Sequence, residues 1–219
     1  MLKLSVLIVL VLAAFASQDT PIPSRPDGYG IGSNTPTLHI EAFYDLLCPD
    51  SRDSWGVLQA LLVSEYHIAT NQTLRFTAHI FPLPYHINAF MAAQGARVIA
   101  DNLAKPADIW TYIDLVFASQ TLFYNAATAN LTQEQVQDKL SGIVNKAMPA
   151  YAGIFEKGLE YGTPFDSEAR IAWKYGCSRG VTGAPVYLAN GVAIDGADSF
   201  TAAQWRNFLN GGYISQIYL

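Results

Sequence analysis

Apolar positions follow two different rhythms along this chain: short strand-like runs towards its two ends, and helical spacing through its middle. Thr37 to Tyr44 is an apolar run that predicts a strand, and Leu74 to Phe81, which alternates and is β-branched or aromatic at several sites, predicts a second. Between them, Ser51 to Tyr66 carries Trp55, Leu58, Leu61 and Leu62 at helical spacing, with Pro49 suited to the first turn. Pro82 and Pro84 end the second strand. From Asn88 to Gly158 the pattern is helical almost throughout, with helices expected over Ala89 to Leu103, Ile109 to Phe123, Thr132 to Met148 and Ala150 to Leu159. Thr132-Gln133-Glu134-Gln135 matches a capping box. A further helix is expected over Asp166 to Tyr175, capped by Asp166 or Ser167. Strands at Val186 to Ala189 and Val192 to Ile194 flank Asn190-Gly191, a strong two-residue hairpin signal. A last helix runs from Thr201 to Leu209.

The resulting order is βαβ, a helical block, then αββα. A βαβ unit pairs its strands in parallel through a right-handed crossover, whereas the hairpin pairs its strands antiparallel. The expected fold class is therefore α/β: a mixed four-stranded sheet with an all-helical insertion at about residues 86–160. Residues 17–36, rich in Pro, Gly, Ser and Thr, read as a flexible N-terminal arm. Residues 37–210 form the domain.

The N-terminus changes the expected compartment. Lys3 precedes an apolar stretch from Leu4 to Ala14, and Ala14-Phe15-Ala16 offers small residues for cleavage after Ala16. Residues 1–16 thus read as a secretory signal peptide, with an uncleaved anchor as the alternative. No later run is apolar enough to span a bilayer, so no stable membrane insertion is expected after cleavage. The expected location is secreted or in the endomembrane lumen. Asn71-Gln72-Thr73 and Asn130-Leu131-Thr132 are glycosylation sequons that fit such a route.

The 219 residues are 51% hydrophobic and 14% charged, with a net charge of −5, enough apolar content for a sizeable core. No Lys/Arg cluster occurs, so nucleic acid is not an expected partner. His79, His86 and Asp45 match no zinc spacing, and no metal site is expected. Ser51 lacks the surrounding pattern of a hydrolase triad.

The chain has two cysteines, Cys48 and Cys177, which in a secreted protein first suggest a disulfide staple. Cys48 has a second reading. It stands at a strand-to-helix turn, where unpaired amides and the helix dipole favour a thiolate. Arg52 adds a positive charge nearby, and Asp50 opposes ionisation. A thiolate there can form a mixed disulfide with a client cysteine. Ser51 occupies the place of a second thiol. Its hydroxyl can hydrogen-bond the Cys48 sulfur but cannot resolve the intermediate, which leaves that task to an outside thiol such as glutathione. Cys177 is the only internal substitute, either paired with Cys48, acting as a resolving thiol, or free. Glu41 is either a buried carboxylate serving as a proton relay or an outward-facing strand residue. Tyr44, Phe81, Tyr85 and Phe90 either line a groove near Cys48 or belong to the core.

Four segments carry a resemblance. Glu41-Ala42-Phe43-Tyr44-Asp45 leads into Cys48-Pro49. Phe81-Pro82-Leu83-Pro84-Tyr85-His86 precedes Ala89, Ala92 and Ala93. Gly180-Val181-Thr182-Gly183-Ala184-Pro185 precedes a strand, and Val186 to Gly191 supplies that strand with its turn. In this order they resemble the thioredoxin-like superfamily and, more narrowly, its DsbA-like branch. Cys48-Pro49-Asp50-Ser51 with Arg52-Asp53-Ser54-Trp55 is similar to a group of uncharacterised secreted plant and protist thioredoxin-like proteins. Ser51 also resembles the pattern of kappa-class glutathione transferases and their isomerase relatives.

The resemblance implies that Cys48 is the nucleophile, with Ser51 as its hydrogen-bond partner. It implies that Pro185 is a cis-proline presenting the Ala184 backbone to a peptide, with Pro49, Ala184 and Tyr85 binding substrate. The function so implied is a monothiol thiol-disulfide oxidoreductase or isomerase-like protein. It would act on a thiol- or disulfide-containing protein or peptide and need no cofactor beyond glutathione as a co-substrate. The alternatives are a non-enzymatic peptide- or client-binding module and a glutathione-binding transferase or isomerase.

Overall fold

The computed structural model describes residues 20–102 and 104–212. The signal-peptide segment, residues 1–16, lies outside the described residues. The strands are β1 (Tyr29–Gly32), β2 (Leu38–Tyr44), β3 (Leu74–Ile80), β4 (Val186–Ala189) and β5 (Val192–Ala193). They form one mixed sheet in the order β1-β3-β2-β4-β5, in which only β2 and β3 run parallel.

The sheet therefore has five strands where four were expected. The extra strand, β1, comes from the segment read as a flexible arm. Tyr29 to Gly32 pairs antiparallel with Arg75 to Ala78 and covers the outer edge of β3. The segment before it is anchored by Asp27. Its buried carboxylate meets Arg97 and stands 2.7 Å from His79 Nδ1. Composition marked this stretch as unable to fold alone; the long-range ion pairs supply what its residues lack.

The helices are α1 (Pro49–Ser64), α2 (Ala89–Asp101), α3 (Asp108–Ser119), α4 (Asn125–Thr128), α5 (Gln133–Ala147), α6 (Ile154–Gly158), α7 (Pro164–Ser178) and α8 (Ala202–Asn207). The capping box of Thr132 and Gln135 is formed. The start of α7 differs from the sequence expectation. Thr163 is its N-cap, accepting from the Asp166 amide, and Pro164 fills the first turn, where a missing N–H costs nothing. Asp166 instead holds Arg170 one turn on. At the hairpin, Asn190 and Gly191 both take positive φ, +47° and +82°, the geometry that a two-residue turn demands.

The main core packs α1, α2, α3 and α5 around Tyr44, Trp55, Phe76, Tyr112, Phe155 and Trp205. Trp55 stacks on Trp110 at 6.0 Å and donates its indole N–H to Asp114 at 2.7 Å. Beneath α1, the hydroxyls of Ser54 and Tyr187 lie 2.5 Å apart, and that of Tyr44 lies 3.0 Å from Tyr187. Burial first pushes the Tyr187 phenol up to about 12, so these groups stay neutral hydrogen-bonding partners. A smaller apolar cluster gathers Phe43, Cys48, Phe81, Leu83, Val181 and Leu188. It lies at the C-terminal ends of β2 and β3, and the site is built there.

Candidate thiol site

β2 ends at Tyr44, and residues 45–48 turn the chain into α1. Cys48 is the N-cap of α1, with extended backbone (φ −83°, ψ 123°), and Pro49 occupies the first helical position. No side chain caps this helix, whose N-terminus begins at the cysteine itself. Cys48 is only 5% exposed. Its Sγ donates to the carbonyl oxygen of Ala184 at 3.5 Å. The Ala184–Pro185 peptide bond is cis. The two segments that the sequence marked thus meet, brought together by the antiparallel pairing of β2 with β4.

Ser51 is fully buried one turn into α1. Its Oγ accepts from the Asp45 amide at 3.3 Å, whereas the Cys48 sulfur turns to Ala184. The expected Ser51–sulfur bond is replaced by a bond that closes the turn before the cysteine. Cys177 also departs from the pairing considered for it: both cysteines are free, Cys48 buried and Cys177 exposed. The reason is the helix face. Gly176 turns inward against Phe81 and Phe43, so close that a Cβ there would lie 2.5 Å from Phe81. The next residue, Cys177, is rotated about 100° round α7 towards solvent. Desolvation pushes its thiol up from the ordinary value.

Around the thiol loop stand residues whose roles the sequence did not disclose. Gln120 is fully buried and donates its amide to the carbonyls of Leu46 (3.0 Å) and Cys48 (2.8 Å), while accepting from Tyr124. It ties the helical insertion to the cysteine. Asp45, considered only as a metal ligand, is fully buried. Its Oδ1 accepts from the Leu47 amide at 2.7 Å. Its Oδ2 accepts from the Leu83 amide at 2.9 Å and meets His86 Nδ1 at 2.7 Å. Burial pushes this carboxyl above its ordinary value, against the pull of the three donors. Among the described residues no cluster of three or more His, Cys, Asp or Glu is arranged to hold a metal ion.

Two open depressions border the loop. One, of about 340 Å³, is lined by Leu47, Pro49, His86, Phe123, Tyr124 and Asn125. The other, of about 450 Å³, is lined by Pro82, Pro84, His86, Phe90, Trp173 and Lys174, among others. His86 stands in both. Of the four aromatics considered, Tyr44 and Phe81 are buried and Phe90 lines the second depression. Tyr85 is 62% exposed, its ring edge-on to His86 at 4.9 Å.

Glu41 is buried rather than outward-facing. It contacts His79 Nε2 at 3.4 Å and Arg179 at 3.9 Å. The His79 contact holds its carboxyl below the ordinary value. His79 itself is stacked on Phe43 at 4.4 Å. Burial alone would lower its pKa; Asp27 and Glu41 hold it above the ordinary value. Glu41 is therefore an ionised partner of His79 in a cluster that fastens β1.

A thioredoxin-like sheet, a helical insertion between β3 and β4, and a cysteine N-cap facing a cis-proline loop define the DsbA-like arrangement of the thioredoxin fold. Solved structures share the fold. A candidate protein-disulfide isomerase from Pseudomonas syringae superposes with a TM-score of 0.67 at 16% identity, over 84% of this chain and 98% of that one. BdbD from Bacillus subtilis gives 0.64 at 11% identity, over 84% and 91%. MdbA, a thiol-disulfide oxidoreductase from Actinomyces oris, gives 0.61 at 13% identity, over 84% and 87%. No family profile and no curated protein sequence matches the chain.

Proposed function

We propose that this protein is a monothiol thiol-disulfide exchange protein acting on cysteine-containing clients of the secretory route. The observation that carries the reading is the Cys48 sulfur at an uncapped helix N-terminus, 3.5 Å from the Ala184 carbonyl beside cis Pro185. In this reading Cys48 attacks a client disulfide. One client sulfur bonds to Cys48, and the other leaves as a thiolate. Ala184 offers its backbone to the client segment, and Pro49 and Tyr85 border it. Because Ser51 carries no sulfur, an outside thiol, glutathione or a second client cysteine, completes the exchange.

The apolar N-terminal segment and the two sequons support a secretory location. No described helix is long and apolar enough to cross a membrane. The shared fold with MdbA, a thiol-disulfide oxidoreductase, points the same way as the thiol geometry.

The test uses Cys177→Ser protein, so that Cys48 is the only thiol. Incubation with a disulfide-linked peptide and mass analysis after acid quench should show one peptide bound per chain, released by reductant. Cys48→Ala should show none. Peptide retained by the Cys48→Ala protein, with no covalent adduct in the Cys48 protein, would instead make the molecule a non-covalent binding module.

A further inference from the structure

The site holds a histidine and carboxylate whose geometry the exchange reaction above leaves unused. Asp45 is gripped on three sides by the amides of Leu47 and Leu83 and by His86 Nδ1, so its carboxylate has one fixed orientation. A carboxylate so placed accepts Nδ1–H and fixes both the tautomer and the ring plane of its histidine. The other nitrogen, Nε2, has no hydrogen-bond partner among the described residues and is not among the buried unsatisfied atoms. The His86 side chain is 22% exposed, against 0% for Asp45. Its ring lines the same depression as Leu47 and Pro49, the residues on either side of Cys48. The other groups facing it are the Tyr85 ring, Tyr124 in the first depression, and Arg170 and Lys174 in the second. None of these is a carboxylate that could replace Asp45.

We infer that His86, oriented by Asp45, accepts the proton of the outside thiol that releases a client from Cys48. This inference rests on the monothiol reading and supplies what that reading lacks. A second internal thiol would need no recruitment, whereas an incoming alkyl thiol arrives largely protonated at neutral pH and is a poor nucleophile until ionised. In the step, the incoming S–H proton passes to His86 Nε2 as its sulfur attacks the client sulfur of the mixed disulfide. A new disulfide forms between the incoming and client sulfurs. The bond to Cys48 breaks, its electron pair stays on Sγ, and the proton on His86 returns to that sulfur or to water. One thiol is consumed and one regenerated, so no further oxidant or reductant enters. His86 is the catalytic residue and Asp45 the positioning residue.

The experiment starts from the Cys48–peptide mixed disulfide in the Cys177→Ser background and follows peptide release by mass. It compares 2-mercaptoethanol with the more acidic 2,2,2-trifluoroethanethiol. General-base assistance contributes typically 10²–10⁴-fold, and less for an already partly ionised nucleophile. His86→Gln should therefore slow release by 2-mercaptoethanol roughly 100-fold or more. It should leave release by trifluoroethanethiol within about threefold, since that thiol needs less help. Asp45→Asn, which keeps the imidazole, should show the same selective loss. Equal slowing with both thiols, or no slowing, in folded His86→Gln protein overturns the inference, because a structural role does not depend on the acidity of the attacking thiol. Should His86→Gln not fold, the Asp45→Asn result decides in the same way. Failure of the unaltered protein to form any mixed disulfide would overturn the functional reading itself, a separate outcome seen before either thiol is added.

Discussion

Cys48 Sγ and the Ala184 carbonyl oxygen are 3.5 Å apart although 136 residues separate them in the chain. The contact ties the first helix of the fold to the loop before β4.

Replacing Ser51 with cysteine should change the chemistry from one thiol to two. Positions 48 and 51 are three residues apart at a helix start, where Cβ atoms come within about 5–6 Å, close enough for a disulfide after small adjustment. Ser51→Cys in the Cys177→Ser background should lose both free thiols on mild oxidation. It should also release a bound client without any added thiol. Mass analysis after alkylation reads both effects. A client adduct that persists until reductant is added would show that the buried position 51 cannot reach the mixed disulfide.

Gln120 should matter more than its place in the helical insertion suggests. Its amide satisfies the carbonyls of Leu46 and Cys48 from a fully buried position. Gln120→Ala removes these bonds and leaves a cavity, which should cost roughly 2–3 kcal/mol of stability in urea unfolding. The loop that holds Cys48 should open more often, so alkylation of Cys48 in the folded Cys177→Ser protein should quicken several-fold.

The Asp27–His79–Glu41 cluster should make stability depend on pH. His79 is raised in the folded state, so its contribution is complete below its unfolded value of about 6.5 and fades as pH rises through the folded value. Asp27 is lowered by His79 and Arg97 against the upward pull of burial, and Glu41 is lowered chiefly by His79. Their contributions are present above the unfolded values of about 4 and fade as pH falls through the folded ones. All three therefore act fully between about pH 4.5 and 6. His79→Gln should cost more stability at pH 5.5 than at pH 8.5, measured by urea unfolding. An equal cost at both would mean that His79 is neutral in the fold.

The two sequons should differ in occupancy. Asn130 is exposed in the turn between α4 and α5. Asn71 donates its amide to the Tyr66 carbonyl at 3.0 Å, and its oxygen accepts from Thr73 and from the Leu74 amide. Protein made in a secretory host should carry its sugar mainly at Asn130. Endoglycosidase treatment of Asn130→Gln and Asn71→Gln proteins, read by mass, checks this.

The sequence disclosed what depends on local chemistry. Cys48-Pro49 announces a helix start, Asn190-Gly191 a hairpin, and the apolar runs at Thr37 to Tyr44 and Leu74 to Phe81 the two central strands. It hid what depends on distant partners. Tyr29-Gly30-Ile31-Gly32 is short and carries two glycines, and its partners, β3 and the His79 and Arg97 that Asp27 meets, lie far along the chain. Gln120 looked like one polar residue in an amphipathic pattern. Asp45 and His86 were linked in the sequence only by a metal spacing that does not match, and it is the turn after β3 that lays His86 beside the turn after β2. Ser51 faced the opposite problem: its position in the motif suggested the sulfur as its partner, but the tight turn claimed its oxygen first.

The order in which the chain is made adds a consequence of the β2–β4 pairing. Cys48 leaves the ribosome long before Ala184 exists to meet it. At about 5–20 residues per second, the 136 residues from Pro49 to Ala184 take roughly 7–27 seconds to appear. Through that interval the thiol travels without its carbonyl partner, beside whatever other nascent cysteines share the space. The cis-proline loop is thus the last piece of the site to arrive, and until it does the Cys48 thiol lacks the carbonyl that it meets in the fold.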